Sequence, residues 1–111
     1  MDSTRQLKIG RLLQKDLGEL IQRQGLQAYD GAMVSVTTVR VSPDLSFAKV
    51  YVSVFPSAKA KEVKVKLDEH VKMLRFELGQ RVRHQLRIVP ELAFYIDDSL
   101  DYVERIDNLL K

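Results

Sequence analysis

The hydrophobic period of this chain changes twice, and these changes limit the folds that it can adopt. Between residues 4 and 25, apolar side chains recur every three or four positions, which predicts an amphipathic helix that ends at Gly25. Between 33 and 55 they alternate as in strands, and from 58 to 86 they return to helical spacing. We therefore expect an α+β domain with its helices packed on one face of a small sheet.

The alternating region predicts two antiparallel strands joined by a turn at 42–44, and a third strand is expected at 92–96, after Pro90. The first strand breaks its own alternation at Thr37-Thr38, which indicates a bulge or a change of buried face. On either side of that break stand Val34 and Val36, then Val39 and Val41.

The region 58–86 predicts one long helix or two in near continuity, and Gly79 is the expected place for a bend. A short amphipathic helix is expected after residue 97, with Asp98 as its cap. Its apolar positions are Val103, Ile106, Leu109 and Leu110. The three aspartates at 97, 98 and 101 suit a helix start better than a metal site. The predicted order is α-β-β-α-α-β plus this terminal helix, in a single domain spanning 1–111.

The composition favours a soluble cytoplasmic protein and argues against an enzyme. A chain of 111 residues forms about one domain, and the absence of cysteine excludes disulfides and thiol chemistry. No apolar run approaches the ~20 residues of a membrane span. The two histidines, His70 and His84, belong to no recognised catalytic or metal-binding motif, so we expect no cofactor and no metal.

The positive charge is concentrated rather than spread along the chain. Residues 57–87 contain nine Lys and Arg against four Asp and Glu, whereas 88–111 contain two against six. A local basic excess is typical of a surface that meets nucleic acid. The first choices for phosphate contacts are Arg75, Arg81, Arg83, His84 and Arg87. The second choices are Lys72 and a cationic stripe on the first helix, formed by Arg5, Lys8, Arg11 and Lys15.

The same cationic pattern is compatible with other functions. The cations could form a solvated helix face neutralised by Glu69 or Glu77, or they could dock on an acidic protein partner. Aromatic side chains on an open sheet face would instead indicate a general binder of single-stranded RNA, and the candidates are Phe47, Tyr51, Phe55 and Tyr95. Since packing explains most of these aromatics, recognition of RNA shape and phosphate is favoured over base reading.

Three segments together resemble the bacterial ribosome-binding factor A family, and the resemblance covers nearly the whole chain. They read VRVSPDLSFAKVYVSVF (39–55), LRFELGQRVRHQLRIVPELAF (74–94) and DDSLDYVERIDNLL (97–110). The resemblance implies a type II KH-like fold with a three-stranded sheet. It also implies a monomeric, non-enzymatic assembly factor that binds the immature 30S subunit near the decoding region of its 16S rRNA. Late maturation, importance in the cold and release by a partner GTPase are further implications.

The chain departs from the family pattern in three places. The stretch AYDGAM (28–33) lacks the Pro-Arg that the family often has before its first strand. His70-Val71-Lys72 occupies the position where the family usually has a small-x-Gly kink between two central helices. Gly79 and Arg87 are separated by seven residues where five are expected. We therefore predict a central helix that is less sharply broken than in relatives, and no GxxG loop.

Overall fold

The structure is a computed structural model, and it describes residues 3–97. The helices and strands follow the order α-β-β-α-β, with one central helix where the predicted order has two, and short 3₁₀ turns lie at Leu26–Tyr29 and Ser57–Lys59. The elements are α1 (Thr4–Gln24), β1 (Met33–Val41), β2 (Phe47–Phe55), α2 (Ala60–Val82) and β3 (Glu91–Ile96). The helix predicted after residue 97 lies outside the described residues.

Helix α1 is capped at its start and packed closely on the sheet. Ser3 and Gln6 form a reciprocal capping box, and the Gln6 side-chain amide also donates to the carbonyl of Val41 over 2.9 Å. A Cβ on Gly10 would lie 2.7 Å from the Val39 carbonyl oxygen, so only glycine lets the helix approach β1 this closely. The helix is therefore closely packed on β1 at Gly10, whereas Gly18 faces open space.

The three strands form one sheet in the order β1-β2-β3. Strand β1 pairs antiparallel with β2, and β2 pairs parallel with β3. A parallel pair requires a crossover connection, and α2 supplies it. Both helices pack on the same face of this sheet, as the hydrophobic pattern predicts, and within residues 3–97 no helix covers the other face.

A β-bulge resolves the broken alternation of the first strand. The register shifts between Val36 and Thr38, so the valines on both sides of the shift face the helices. Thr37 lies at the bulge and forms two hydrogen bonds that hold it there. The Gln14 side-chain amide donates to the Thr37 carbonyl over 3.0 Å, and the Thr37 hydroxyl donates to the Asp97 carboxylate over 2.8 Å. All four valines therefore lie on one side of the sheet, with Val36 less deeply buried than the others.

The central helix is a single unbroken α-helix. It continues through 70–72, which confirms the prediction of a less sharply broken helix, and no second central helix is present within the described residues. It also continues through Gly79, where a bend was expected, so the helix is not interrupted at that glycine. The space that a Cβ would need at Gly79 is taken by Val89, whose Cγ2 lies 3.2 Å from that position.

Helix α2 ends four residues earlier than the pattern predicts. Its last residue is Val82, and the amides of Gln85 and Leu86 both donate to the Val82 carbonyl in a tight turn. The chain then doubles back along the helix to start β3. The predicted buried stripe is confirmed at Leu74, Leu78 and Val82, whereas Arg83, His84 and Arg87 belong to a loop rather than to a helix face.

Candidate nucleic-acid interface

Some cations of α2 form ion pairs with carboxylates, and others do not. In its first half, Lys64 pairs with Asp68 over 2.6 Å and Lys66 pairs with Asp30 over 3.1 Å. Within the described residues, neither Glu69 nor Glu77 forms an ion pair with any cation. The basic residues of the second half are therefore not neutralised by those two carboxylates.

Arg81 is the exception among these cations, because it joins the two helices. Its guanidinium lies 2.5 Å from a Glu19 oxygen and 3.4 Å from an Asp16 oxygen, and its side chain is 25% exposed. The hydrogen bond that it donates to Glu19 is the main cause of a raised Arg81 pKa. Both contacts use the same guanidinium nitrogen, Nη1, and they distinguish Arg81 from the predicted contacts that form no ion pair within the described residues.

Arg75 holds the loop that follows α2. Its Nη2 donates to the Val89 carbonyl over 2.7 Å, and its Nε donates to the Pro90 carbonyl over 3.1 Å. The planar guanidinium suits two adjacent acceptors in this way. Together with the contact between Val89 and Gly79, these bonds fix the path of residues 83–90.

The loop 83–90 runs along α1 and brings distant cations together. Arg81, just before the loop, contacts Asp16, and the end of the loop shares a cavity of about 190 Å³ with the first turns of α1. Arg5 and Arg87 both line that cavity, as do Asp44 and Ser46 of the turn between β1 and β2. Residues that are far apart in the sequence therefore meet at one end of the domain.

Asp44 is the negative charge at this end, and its own turn satisfies it. Its carboxylate accepts hydrogen bonds from the hydroxyls of Ser42 and Ser46, each over 2.7 Å, and from the Ser46 amide over 3.2 Å. These bonds lower the Asp44 pKa to about 2, with the Ser42 bond the largest cause. The carboxylate thus remains ionised and stabilises the turn.

We use the term basic face for one group of exposed cations on the first four turns of α1 and on the loop 83–90. Helical geometry places Lys8 and Lys15 on the solvent-facing side of α1, next to the side that carries Arg5 and Asp16. Arg11 lies on the far side of Lys15 from Arg5. The members are Arg5, Lys8, Lys15, Arg83, His84 and Arg87, all exposed and without ion pairs within the described residues. Phosphates are the natural ligands of such a set.

Lys72 lies apart from the basic face. It borders an open groove of about 550 Å³ along α2, together with Arg75, Phe76, Gly79 and Val89. Lys72, Arg75 and Gly79 therefore share one surface groove, which Arg83 does not line. Val89 of the protein itself, rather than a phosphate, occupies the space beside Gly79.

The open sheet face carries features to which the sequence pattern gave little weight. Tyr51 and Tyr95 stack there with ring centroids 5.5 Å apart, and Phe55 is 73% exposed. Arg40 and Lys49 are also exposed on this face, and they were not among the predicted contacts. The alternation of Phe47, Lys49, Tyr51 and Ser53 in the sequence was the signal that could have placed Lys49 beside the tyrosines on this face.

This architecture and these surfaces define the class of protein. Two helices on one face of a three-stranded sheet, with unpaired cations at one end, are typical of a small KH-like binding domain. Within residues 3–97 no group of three potential metal ligands is found, and none of the described helices is long and apolar enough to cross a membrane.

Comparison with known proteins identifies the family. The family model for ribosome-binding factor A matches residues 5–110. Ribosome-binding factor A of Christiangramia forsetii is 46% identical over 111 residues, which cover 99% of this chain and 85% of that protein. The chain belongs to the ribosome-binding factor A family.

Solved structures agree with this assignment. The crystal structure of ribosome-binding factor A from Thermus thermophilus matches with a TM-score of 0.69 at 26% identity, covering 82% of this chain and 94% of that one. A homology model of the Thermus thermophilus factor, fitted into the cryo-EM map of a 30S complex, matches with a TM-score of 0.61 at 29% identity, covering 78% and 89%. The expected KH-like α+β class is confirmed.

Proposed function

We propose that this protein is a non-enzymatic assembly factor that binds the immature 30S ribosomal subunit through its 16S rRNA and assists late maturation. The observation that carries the proposal is the basic face, whose six exposed side chains lie on α1 and the loop 83–90 and form no ion pair within the described residues. The Thermus thermophilus relative, fitted into the map of a 30S complex, supports the small subunit as the target.

The chemistry of the basic face favours phosphate recognition. Arg5, Arg83 and Arg87 offer guanidinium groups that bind phosphate oxygens in pairs, and Lys8 and Lys15 add point charges along α1. His84 donates a hydrogen bond in either protonation state. Backbone contacts of this kind position a protein on folded RNA without reading base sequence.

The remaining parts of the proposal concern partners and location. The protein acts as a cytoplasmic monomer, needs no cofactor, and leaves the subunit when an assembly GTPase acts on it. Its contribution is expected to matter most in the cold, when misfolded rRNA rearranges slowly. Membership of the ribosome-binding factor A family supports each of these statements.

Cosedimentation tests the central claim. The protein should sediment with small subunits from cells that accumulate assembly intermediates, and it should not sediment with 70S ribosomes. Nuclease treatment should release it, because RNA carries the contact. Retention after complete RNA digestion would instead identify an acidic protein as the partner. Equal sedimentation with 70S ribosomes would refute a role confined to assembly.

A further inference from the structure

The open face of the sheet has an ordered arrangement of side chains. In one cross-strand row Arg40 lies opposite Lys49, and in the next row Thr38, Tyr51 and Tyr95 lie side by side on the three strands. Rows on one face of a sheet repeat every second residue, about 6.6 Å apart. A cationic row therefore borders directly on an aromatic row.

The cationic row lacks a balancing charge. Arg40 and Lys49 are direct cross-strand neighbours, and like charges in this position oppose the pairing of the strands. Neither forms an ion pair within residues 3–97. The acidic groups nearest in register are Glu91, which pairs with Phe47 in the following row, and Asp97, which accepts a hydrogen bond from Thr37. An anion bound at this row would remove the repulsion.

The aromatic row presents a preformed stack. The rings of Tyr51 and Tyr95 are inclined by 29°, and Tyr95 is 40% exposed on the edge strand β3. The Lys49 Nζ lies 5.9 Å from the centre of the Tyr95 ring. An aromatic stack beside cations is the arrangement with which many proteins hold single-stranded nucleic acid, since every base has a π-face and every linkage carries a phosphate.

We propose that this face binds single-stranded RNA, with one base stacked on the Tyr51–Tyr95 pair and the adjoining phosphate on Arg40 and Lys49. The inference deepens the proposed function and rests on it, because it supplies a second contact for an unpaired rRNA segment. The basic face lies on α1 and the loop 83–90, away from this side of the sheet. The two surfaces therefore make separate predictions.

The side-chain chemistry favours RNA over the chain's own C-terminal segment. Residues 98–111 contain Leu100, Val103 and Ile106, and aliphatic side chains of this kind bury best on apolar surface. The two rows carry charges, a hydroxyl and polar aromatic rings instead. Ser35 and Ser53 continue this polar character in the neighbouring row of the face.

Titration of the full chain with a single-stranded octauridylate tests the proposal by NMR. The ring protons of Tyr51 and Tyr95 should shift and show contacts to uracil protons. Tyr51→Ala and Tyr95→Ala should each weaken binding about tenfold, whereas Tyr95→Phe should retain it because stacking needs only the ring. Phe76→Ala is the matched control, since Phe76 is an exposed aromatic side chain on α2.

The salt dependence of the same titration tests the cationic row. Replacing Arg40 and Lys49 by glutamine should reduce the slope of log affinity against log salt by about one to two units. An unchanged slope combined with unshifted Tyr95 resonances would overturn the proposal. Contacts between Tyr95 and residues 98–111 in the absence of RNA, with no response to octauridylate, would also overturn it and identify that segment as the occupant.

Cosedimentation of the same variants separates this inference from the proposed function. If the wild-type protein sediments with small subunits but octauridylate leaves Tyr51 and Tyr95 unaffected, the sheet proposal fails and the proposed function survives. If octauridylate binds at the tyrosines but the protein does not sediment with subunits, the proposed function fails and the sheet site stands.

Discussion

The guanidinium of Arg81 lies 2.5 Å from the carboxylate of Glu19, so a cation near the end of α2 joins that helix to α1. Asp16 completes the cluster at 3.4 Å. This contact lies at the start of the loop 83–90. At the other end of the loop, Arg87 lines a cavity together with Arg5 of α1, so the loop runs beside that helix. This ion pair therefore joins the two helices beside the basic face without contributing a free cation to it.

Replacing Arg81 should affect stability more than RNA binding. Arg81→Gln is expected to lower the thermal midpoint at low salt and to lower it less at high salt, because salt screens the pair that is lost. Arg83→Gln, an exposed and unpaired neighbour, should leave the midpoint unchanged and weaken subunit binding. The measurements are thermal unfolding at two salt concentrations and cosedimentation. A loss of binding with an unchanged midpoint for Arg81→Gln would show that Arg81 leaves its carboxylates to bind RNA.

Charge reversal on the loop should flatten the salt dependence of subunit binding. The double change Arg83→Glu and Arg87→Glu removes two phosphate contacts, so the slope of log affinity against log salt should fall by about two units. Arg23→Glu with Lys61→Glu is the control, because these exposed cations lie outside the basic face and give the same change in net charge. Equal effects from both pairs would mean that net charge, rather than the face, drives binding.

The two interior glycines of α1 should respond oppositely to alanine. Gly18→Ala should stabilise the protein by about 0.5–1 kcal/mol, because the position is helical and nothing lies within 4 Å of the new Cβ. Gly10→Ala should destabilise it by about 1–3 kcal/mol, because the new Cβ meets the Val39 carbonyl at 2.7 Å. Urea unfolding of both variants measures the change in the free energy of unfolding. Stabilisation by both would mean that α1 moves away from β1 at little cost.

The Asp44 turn should stabilise the protein only where its carboxylate is ionised. Since the folded-state pKa of about 2 lies below the ordinary value of 3.8, the contribution is complete above that ordinary value and is lost as the pH falls toward 2. Asp44→Ala should therefore reduce stability at pH 7, and its difference from the wild type should shrink between pH 4 and 2. Urea unfolding across this range measures the difference. A difference that is independent of pH would assign the effect to turn shape rather than charge.

Most of the architecture was predictable because the apolar positions that set the sequence period are also the residues buried in the core. The period of the apolar residues predicted α1, the three strands and the buried stripe of α2, since each element must turn one face toward the same core. The absence of a glycine at 70–72 correctly predicted a central helix without a sharp break at that point. The bulge at Thr37 was one of two possibilities that the broken alternation allowed, and only the pairing with β2 decided between them.

The candidate surfaces depended more on contacts between distant residues. The sequence by itself determined which side chains are cationic and which are excluded from the core, because charge and hydrophobicity belong to each residue. Only the tertiary structure decided that Arg81 meets Glu19, that Arg75 holds the carbonyls of Val89 and Pro90, and that Arg5 and Arg87 share one cavity. Such pairings depend on where the chain returns after each turn, and helical or strand periodicity carries no information about that path.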